Sequence, residues 1–184
     1  MNIIETGLPG LLVIEPRVFE DERGYFFESY QQQRYIDAGI GQPFIQDNES
    51  KSIKGVVRGL HYQLGELAQA KLVRAVQGSV FDVAVDLRAG SPTFMKWYGI
   101  ELSEFNKKQL FIPRGFAHGF SVLSETAIFT YKCDNIYNKE AERSINPFDP
   151  KLGIDWKIDR QDAIVSEKDE KAPMFDEAEM NFKI

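Results

Sequence analysis

Short runs rich in Val, Ile, Phe and Tyr, with a turn residue roughly every ten positions, dominate this chain and restrict the folds open to it. "GLLVIEP", "GYFFESY", "PFIQDNES", "GVVRGLHYQ" and "KLVRAVQGSVFDVAVDL" come first; "WYGIEL", "QLFIPRGFAHGFSVL" and "AIFTYKC" follow. Such runs favour an all-β sandwich or barrel, because β-branched and aromatic side chains fit a pleated, half-buried surface. "VRAVQGSVFDVAV" predicts a hairpin turning at Gln77-Gly78. In "AIFTYKC", strand alternation puts Phe129, Tyr131 and Cys133 on one face and Thr130 and Lys132 on the other. Helix is sparse: "SYQQQRYIDAG" stops at Gly39, and "EKDEKAPMFDEAEM" offers a short turn before Pro173.

With 184 residues and no linker-like stretch, one domain over 1–184 is expected. "GLLVI" and "VFDVAV" are too short to span a bilayer. "MNIIETGLPG" has neither the basic start nor the apolar core of a signal peptide, so the expected location is the cytoplasm. A net charge of −6 argues against nonspecific nucleic-acid binding, although local arginines and lysines can still hold a small anion. The single Cys133 excludes an internal disulfide.

The chain has two histidines, His61 in "RGLHYQ" and His118 in "IPRGFAHGF". Gly55, five residues, His61-Tyr62-Gln63, then Lys71, six residues and Gly78 resemble the first signature of the cupins, the double-stranded β-helix proteins. Pro113-Arg114-Gly115-Phe116-Ala117-His118 matches their second. The resemblance implies a jelly-roll barrel with N-terminal extension strands and a few short helices. Where a metal cupin carries His and Glu, this chain has Gln63 and Lys71. An amide is a poor transition-metal ligand and an ammonium repels a cation, so no metal and no other cofactor is expected.

A lysine can instead stabilise an oxyanion developing on a carbonyl. A histidine, with an ordinary pKa of ~6.5, can accept a proton at neutral pH. His61 with Lys71 is thus the minimum apparatus for removing a proton next to a ketone. Tyr131, on the inward face of its run, is a suitable acid for return of the proton from the other side. Each residue also has an ordinary reading. Lys71 suits a solvated strand edge, Tyr131 a core with its hydroxyl satisfied, and His118 packing between Phe116 and Phe120.

Longer motifs narrow the choice. "FEDERGYFFE", "FIQDNES", "VVRGLHYQ", "QAKLVRAVQGSVFDVAVDLRAGSPTF", "IPRGFAHGFSVLS", "YKCDNIYNKEAERSI", "GIDW" and "SEKDEKAP" resemble, in order, the dTDP-4-dehydrorhamnose 3,5-epimerase family over nearly the whole chain. The resemblance implies inversion of dTDP-4-dehydro-6-deoxy-D-glucose at carbons 3 and 5. It implies His61 as base, Asp169 as the carboxylate orienting it, Lys71 as enolate stabiliser and Tyr131 as acid. It assigns substrate binding to Arg23, Glu28, Gln46, Asp47, Asn48, Arg58, Gln63, Glu142 and Lys168, with Tyr137 stacking on thymine. His118 is given a substrate-binding or supporting role. Arg23 and Arg58 suit a diphosphate, since guanidinium forms bidentate charge-assisted bonds. A strict strand would put Arg58 and His61 on opposite faces, so a bulge is expected at Gly59. The resemblance further implies a homodimer in which Arg23 to Glu28 reach the neighbour's site. The rival readings are an epimerase of one carbon, a ketoisomerase, a non-catalytic sugar-nucleotide-binding cupin and a metal-dependent oxygenase.

Overall fold

The computed structural model describes residues 1–41 and 43–184. The chain opens with β1 (Asn2–Glu5), β2 (Leu12–Glu15), β3 (Phe19–Asp21), β4 (Gly24–Phe26) and helix α1 (Gln32–Asp37). Then come β5 (Gln46–Ile53), β6 (Val56–Gln63), β7 (Lys71–Gln77), β8 (Ser79–Asp86) and β9 (Trp97–Ser103). β10 (Gln109–Ile112), β11 (Phe116–Val122), β12 (Thr126–Cys133), β13 (Glu142–Ser144), β14 (Ile164–Val165) and helix α2 (Glu167–Glu170) follow. Among the described residues no helix is long and apolar enough to cross a membrane.

One sheet has the order β1-β2-β10-β7-β12-β5 and the other β13-β6-β11-β8-β9, with β14 pairing parallel to β6. From β5 to β8, and again from β10 to β12, successive strands alternate between the two sheets. The chain therefore winds as a double-stranded β-helix, the jelly-roll barrel expected from the sequence.

That winding corrects one expectation. Gln77-Gly78 is a turn but not a hairpin. β7 pairs with β10 and β12, whereas β8 pairs with β11 and β9. The chain reverses from one layer into the other, and Gly78 (φ 72°) passes so close to β12 that a Cβ would lie 2.1 Å from the Thr126 carbonyl oxygen. "GYFFESY" is shorter as a strand than expected: only Gly24–Phe26 is extended, pairing with β3 in a small separate hairpin.

Alternation along the strands builds the layers. Inward residues Val13, Val73, Ala75, Val80, Leu110, Phe120 and Phe129 close the barrel. Val57, Leu60, Phe81, Val83 and Val85 face outward from the second sheet, where Ile145, Leu152, Trp156 and Phe175 cover them. This C-terminal covering carries α2 to the barrel mouth. Outside the first sheet, Tyr35 and Ile40 pack on Ile14 and Leu72, and the Tyr35 hydroxyl donates to Gln109 Oε1 at 2.9 Å. Phe129 is 1% exposed and stacks on Phe120 with ring centroids 4.4 Å apart. Phe129→Ala should cost about 3–5 kcal/mol, read as a lowered midpoint in urea unfolding; a loss below about 1 kcal/mol would mean the barrel floor collapses onto the void.

Candidate active site

The site begins with a fault in a strand. Opposite β11, His61 pairs with His118 and Arg58 with Phe120, so β6 carries one extra residue, the bulge expected at Gly59. Gly59 has φ 131°, and a Cβ there would lie 2.6 Å from Gly119 Cα. A Cβ on Gly119 would in turn lie 2.6 Å from the Arg58 carbonyl oxygen. Two apposed glycines thus let β6 slip its parity, which brings Arg58 and His61 to the same face.

Asp169 meets His61 from the C-terminal covering. His61 Nε2 lies 2.6 Å from Asp169 Oδ1, with the imidazole side chain 31% exposed and the Asp169 residue 3% exposed. Asp169 Oδ2 accepts from the Gly59 amide at 3.3 Å. Ser166 caps α2, its Oγ accepting from the Asp169 amide at 3.1 Å. Burial opposes ionisation of Asp169, but the His61 contact, the Gly59 amide and the Ser166 hydroxyl together hold its carboxyl below the usual range. An ionised Asp169 fixes the imidazole proton on Nε2 and leaves the Nδ1 lone pair as the basic nitrogen.

Lys71 and Tyr131 come from the opposite sheet, on neighbouring strands β7 and β12. The Lys71 ammonium lies 5.8 Å from the Tyr131 ring centroid. Burial pushes the Lys71 pKa down and the Tyr131 phenol up, so the phenol carries its proton at neutral pH. With Gln46, Asn48, Tyr62, Gln63, Gln69, Tyr137 and Glu142, these residues and His61 line a cavity of about 220 Å³. A larger groove, about 860 Å³, runs past Gly7, Pro113 and Arg114, but its buried Asp134 is committed to the Ala70 amide at 2.7 Å and to Arg114 at 2.8 Å. Among the described residues no group of three or more His, Cys, Asp or Glu could hold a metal ion.

The remaining expected residues divide. Gln46 Oε1 receives the Tyr137 amide at 2.8 Å, the Tyr137 hydroxyl donates to Glu142 Oε2 at 3.2 Å, and Lys168 Nζ donates to the same oxygen at 2.6 Å. Burial resists ionisation of Glu142, and Lys168 overcomes it. Arg58 Nε donates to Ser52 Oγ at 3.1 Å. Gln63 lines the cavity, yet its amide is already committed: Nε2 donates to the Leu67 and Ile136 carbonyls and Oε1 accepts from the Asn138 amide. His118 is buried, stacked on Phe129 at 6.0 Å and bonded through Nε2 to Asp82 Oδ2 at 2.9 Å, which puts it beneath the cavity floor.

Asp47, expected beside Gln46 and Asn48, faces the other way. Strand alternation turns it outward, where it pairs with Lys132 at 2.9 Å. Within one chain, Arg23 and Glu28 do not reach the cavity. Arg23, its side chain 85% exposed, pairs with Asp21 at the tip of the β3–β4 hairpin, and Glu28 pairs with Arg34. Sequence reasoning missed Ser166, although Ser166-x-x-Asp169 carries a helix N-cap signal. It missed Asp82 and Gln69 too, for which no local signal exists.

The barrel makes this chain a cupin, and its cavity is lined by a histidine held by a carboxylate together with a lysine and a tyrosine from the facing sheet. The model of the family described as dTDP-4-dehydrorhamnose 3,5-epimerase matches residues 5–177. The dTDP-4-dehydrorhamnose 3,5-epimerase of Shigella flexneri is 53% identical over 180 residues, covering 97% of this chain and 98% of that one. The crystal structure of the enzyme of that name from Elizabethkingia anophelis superposes with a TM-score of 0.92 at 58% identity, covering 96% and 97% of the two chains. A Legionella pneumophila 3,5-epimerase, solved with dTDP-4-keto-L-rhamnose, also gives a TM-score of 0.92 at 52% identity, with 96% and 93% covered. This chain belongs to the dTDP-4-dehydrorhamnose 3,5-epimerase family.

Proposed function

We propose that His61, Lys71 and Tyr131 carry out the inversion of dTDP-4-dehydro-6-deoxy-D-glucose at carbons 3 and 5. The observation that carries this reading is the placement of base and acid on opposite sheets around one cavity, with His61 on β6 and Tyr131 on β12. His61 Nδ1 takes the proton from a carbon beside the 4-ketone, and the bonding pair moves onto the ketone oxygen as an enolate. The Lys71 ammonium meets that negative charge. Tyr131 returns a proton to the opposite face of the carbon, and the enolate collapses to the ketone with inverted configuration. Both carbons flank the same ketone, so one ammonium serves both steps. Neither step needs a metal or a redox cofactor.

Arg58 and Lys168 supply cationic groups for the diphosphate, and Tyr137, half exposed at the cavity rim, a face for thymine. The reading includes a homodimer. Phe19, Tyr25 and Phe26 are each more than half exposed on the β3–β4 hairpin, a surface suited to a second copy whose site Arg23 and Glu28 would complete. It also includes residence in the cytoplasm, where the lone buried Cys133 needs no oxidising partner.

Tyr131→Phe separates the two halves of the reaction. In deuterated water it should still exchange the substrate's carbon-bound hydrogen through His61, while inversion falls about 10²-fold or more. NMR of substrate and product reads both at once. Loss of exchange and inversion in equal measure would contradict a distinct acid on the second face.

A further inference from the structure

Lys71 on β7 lines the cavity, and Asp82 on β8 and His118 on β11 are buried in the barrel close enough to it for their charges to act on one another's ionisation. Asp82 is 0% exposed, and only one of its oxygens is used. Oδ2 meets His118 Nε2 at 2.9 Å, while Oδ1 has no hydrogen-bond partner among the described residues. A buried carboxylate oxygen without a partner is uncommon and calls for an explanation.

The explanation lies with Lys71, which has no carboxylate partner of its own among the described residues and whose ammonium burial disfavours. The ionisable groups facing it come from several elements. Cys133 sits directly opposite in register on β12, but burial pushes its thiol up to about 11, so it is neutral at pH 7. Burial likewise keeps the Tyr131 phenol and the His118 imidazole uncharged. From β6, His61 is engaged with Asp169. From β13, Glu142 is paired with Lys168 at 2.6 Å. Asp134, just after β12, is held by Arg114 and the Ala70 amide. β10 contributes no ionisable residue. Asp82 is what remains: burial raises the pKa of its carboxyl, and the His118 contact and the charge of Lys71 act the other way, so the carboxylate and the ammonium depend on each other.

We propose that Asp82 is a positioning residue for this reaction, its carboxylate being the counter-charge that keeps Lys71 an ammonium inside the barrel and His118 the group that holds that carboxylate in place. The proposal rests on the reading of Lys71 as the enolate stabiliser. A neutral His118 with its proton on Nε2 donates to Oδ2 and leaves Oδ1 without a hydrogen-bond partner among the described residues, so the carboxylate's charge is not spent on a second donor. Replacing Asp82 removes the charge and should let burial act on Lys71 unopposed.

The test uses the full chain with ¹³C-labelled lysine, following the Lys71 Cε resonance, assigned with Lys71→Arg, through a pH titration. In the wild-type protein Lys71 should be an ammonium at pH 7, and in Asp82→Asn its midpoint should fall by about one pH unit or more. The alkaline limb of the kcat profile should move with it, and Asp82→Glu should restore both. A uniformly lowered kcat with an unmoved Lys71 midpoint would mark Asp82 as a packing residue and overturn the proposal. A wild-type Lys71 already neutral at pH 7 would overturn it even if Asp82→Asn failed to fold. A midpoint that falls while the kcat profile stays put would leave the counter-charge intact but remove Lys71 from the chemistry, and with it Asp82's part in the reaction.

Discussion

Replacing His61 with asparagine should reduce inversion at both carbons by about 10²- to 10⁴-fold, the range over which a positioned general base contributes. Asparagine is shorter than the imidazole and gives up the 2.6 Å contact that His61 Nε2 makes with Asp169 Oδ1, but Asp169 Oδ2 still accepts from the Gly59 amide, so α2 stays packed against β6. What it lacks is a basic nitrogen. Binding of thymidine diphosphate should therefore stay near the wild-type value, because Tyr137, Glu142 and Lys168 form a separate cluster along the cavity. Turnover by NMR and Kd by calorimetry check the two halves. Retained activity would move the base elsewhere, and lost binding would mean that the substitution disturbed the fold.

Lys71→Met is expected to lower kcat by about 10²- to 10³-fold, comparable to removing one preorganised oxyanion donor. Methionine nearly keeps the volume and fits an apolar wall, so the change deletes a charge rather than a shape. If the ammonium acts on the enolate alone, kcat and kcat/KM should fall together, because a contact made only in the transition state has been removed. If Lys71 merely holds the ground-state ketone, KM rises and kcat barely moves. Lys71→Arg keeps the charge, but its fork is larger and planar, and it should recover only part of the rate.

The strands were legible because their apolar residues alternate, and that alternation also places Tyr131 inward and exposes the parity conflict between Arg58 and His61. Gly59 could resolve the conflict only by a bulge, and one is there. Sheet membership was not legible. Gln77-Gly78 suits a hairpin and an arch between layers equally, since both reverse the chain; only packing against Thr126 and Ser124 separates them. Asp47 illustrates a rule that was available: flanked by inward Gln46 and Asn48, it had to face out. Asp169 and Asp82 lie 108 and 36 positions from the histidines they meet, a separation no local pattern encodes. Nor can one chain's sequence show where the Arg23 hairpin lands.

The central claim is that this cavity removes and replaces protons on both sides of the ketone. The most direct measurement incubates the wild-type protein with dTDP-4-dehydro-6-deoxy-D-glucose in deuterated water and follows carbons 3 and 5 by NMR. Deuterium should enter at both positions as the inverted product appears, and entry should be lost at both in His61→Asn. Uptake at one carbon alone, or tight binding of the nucleotide sugar without uptake at either, would contradict the account.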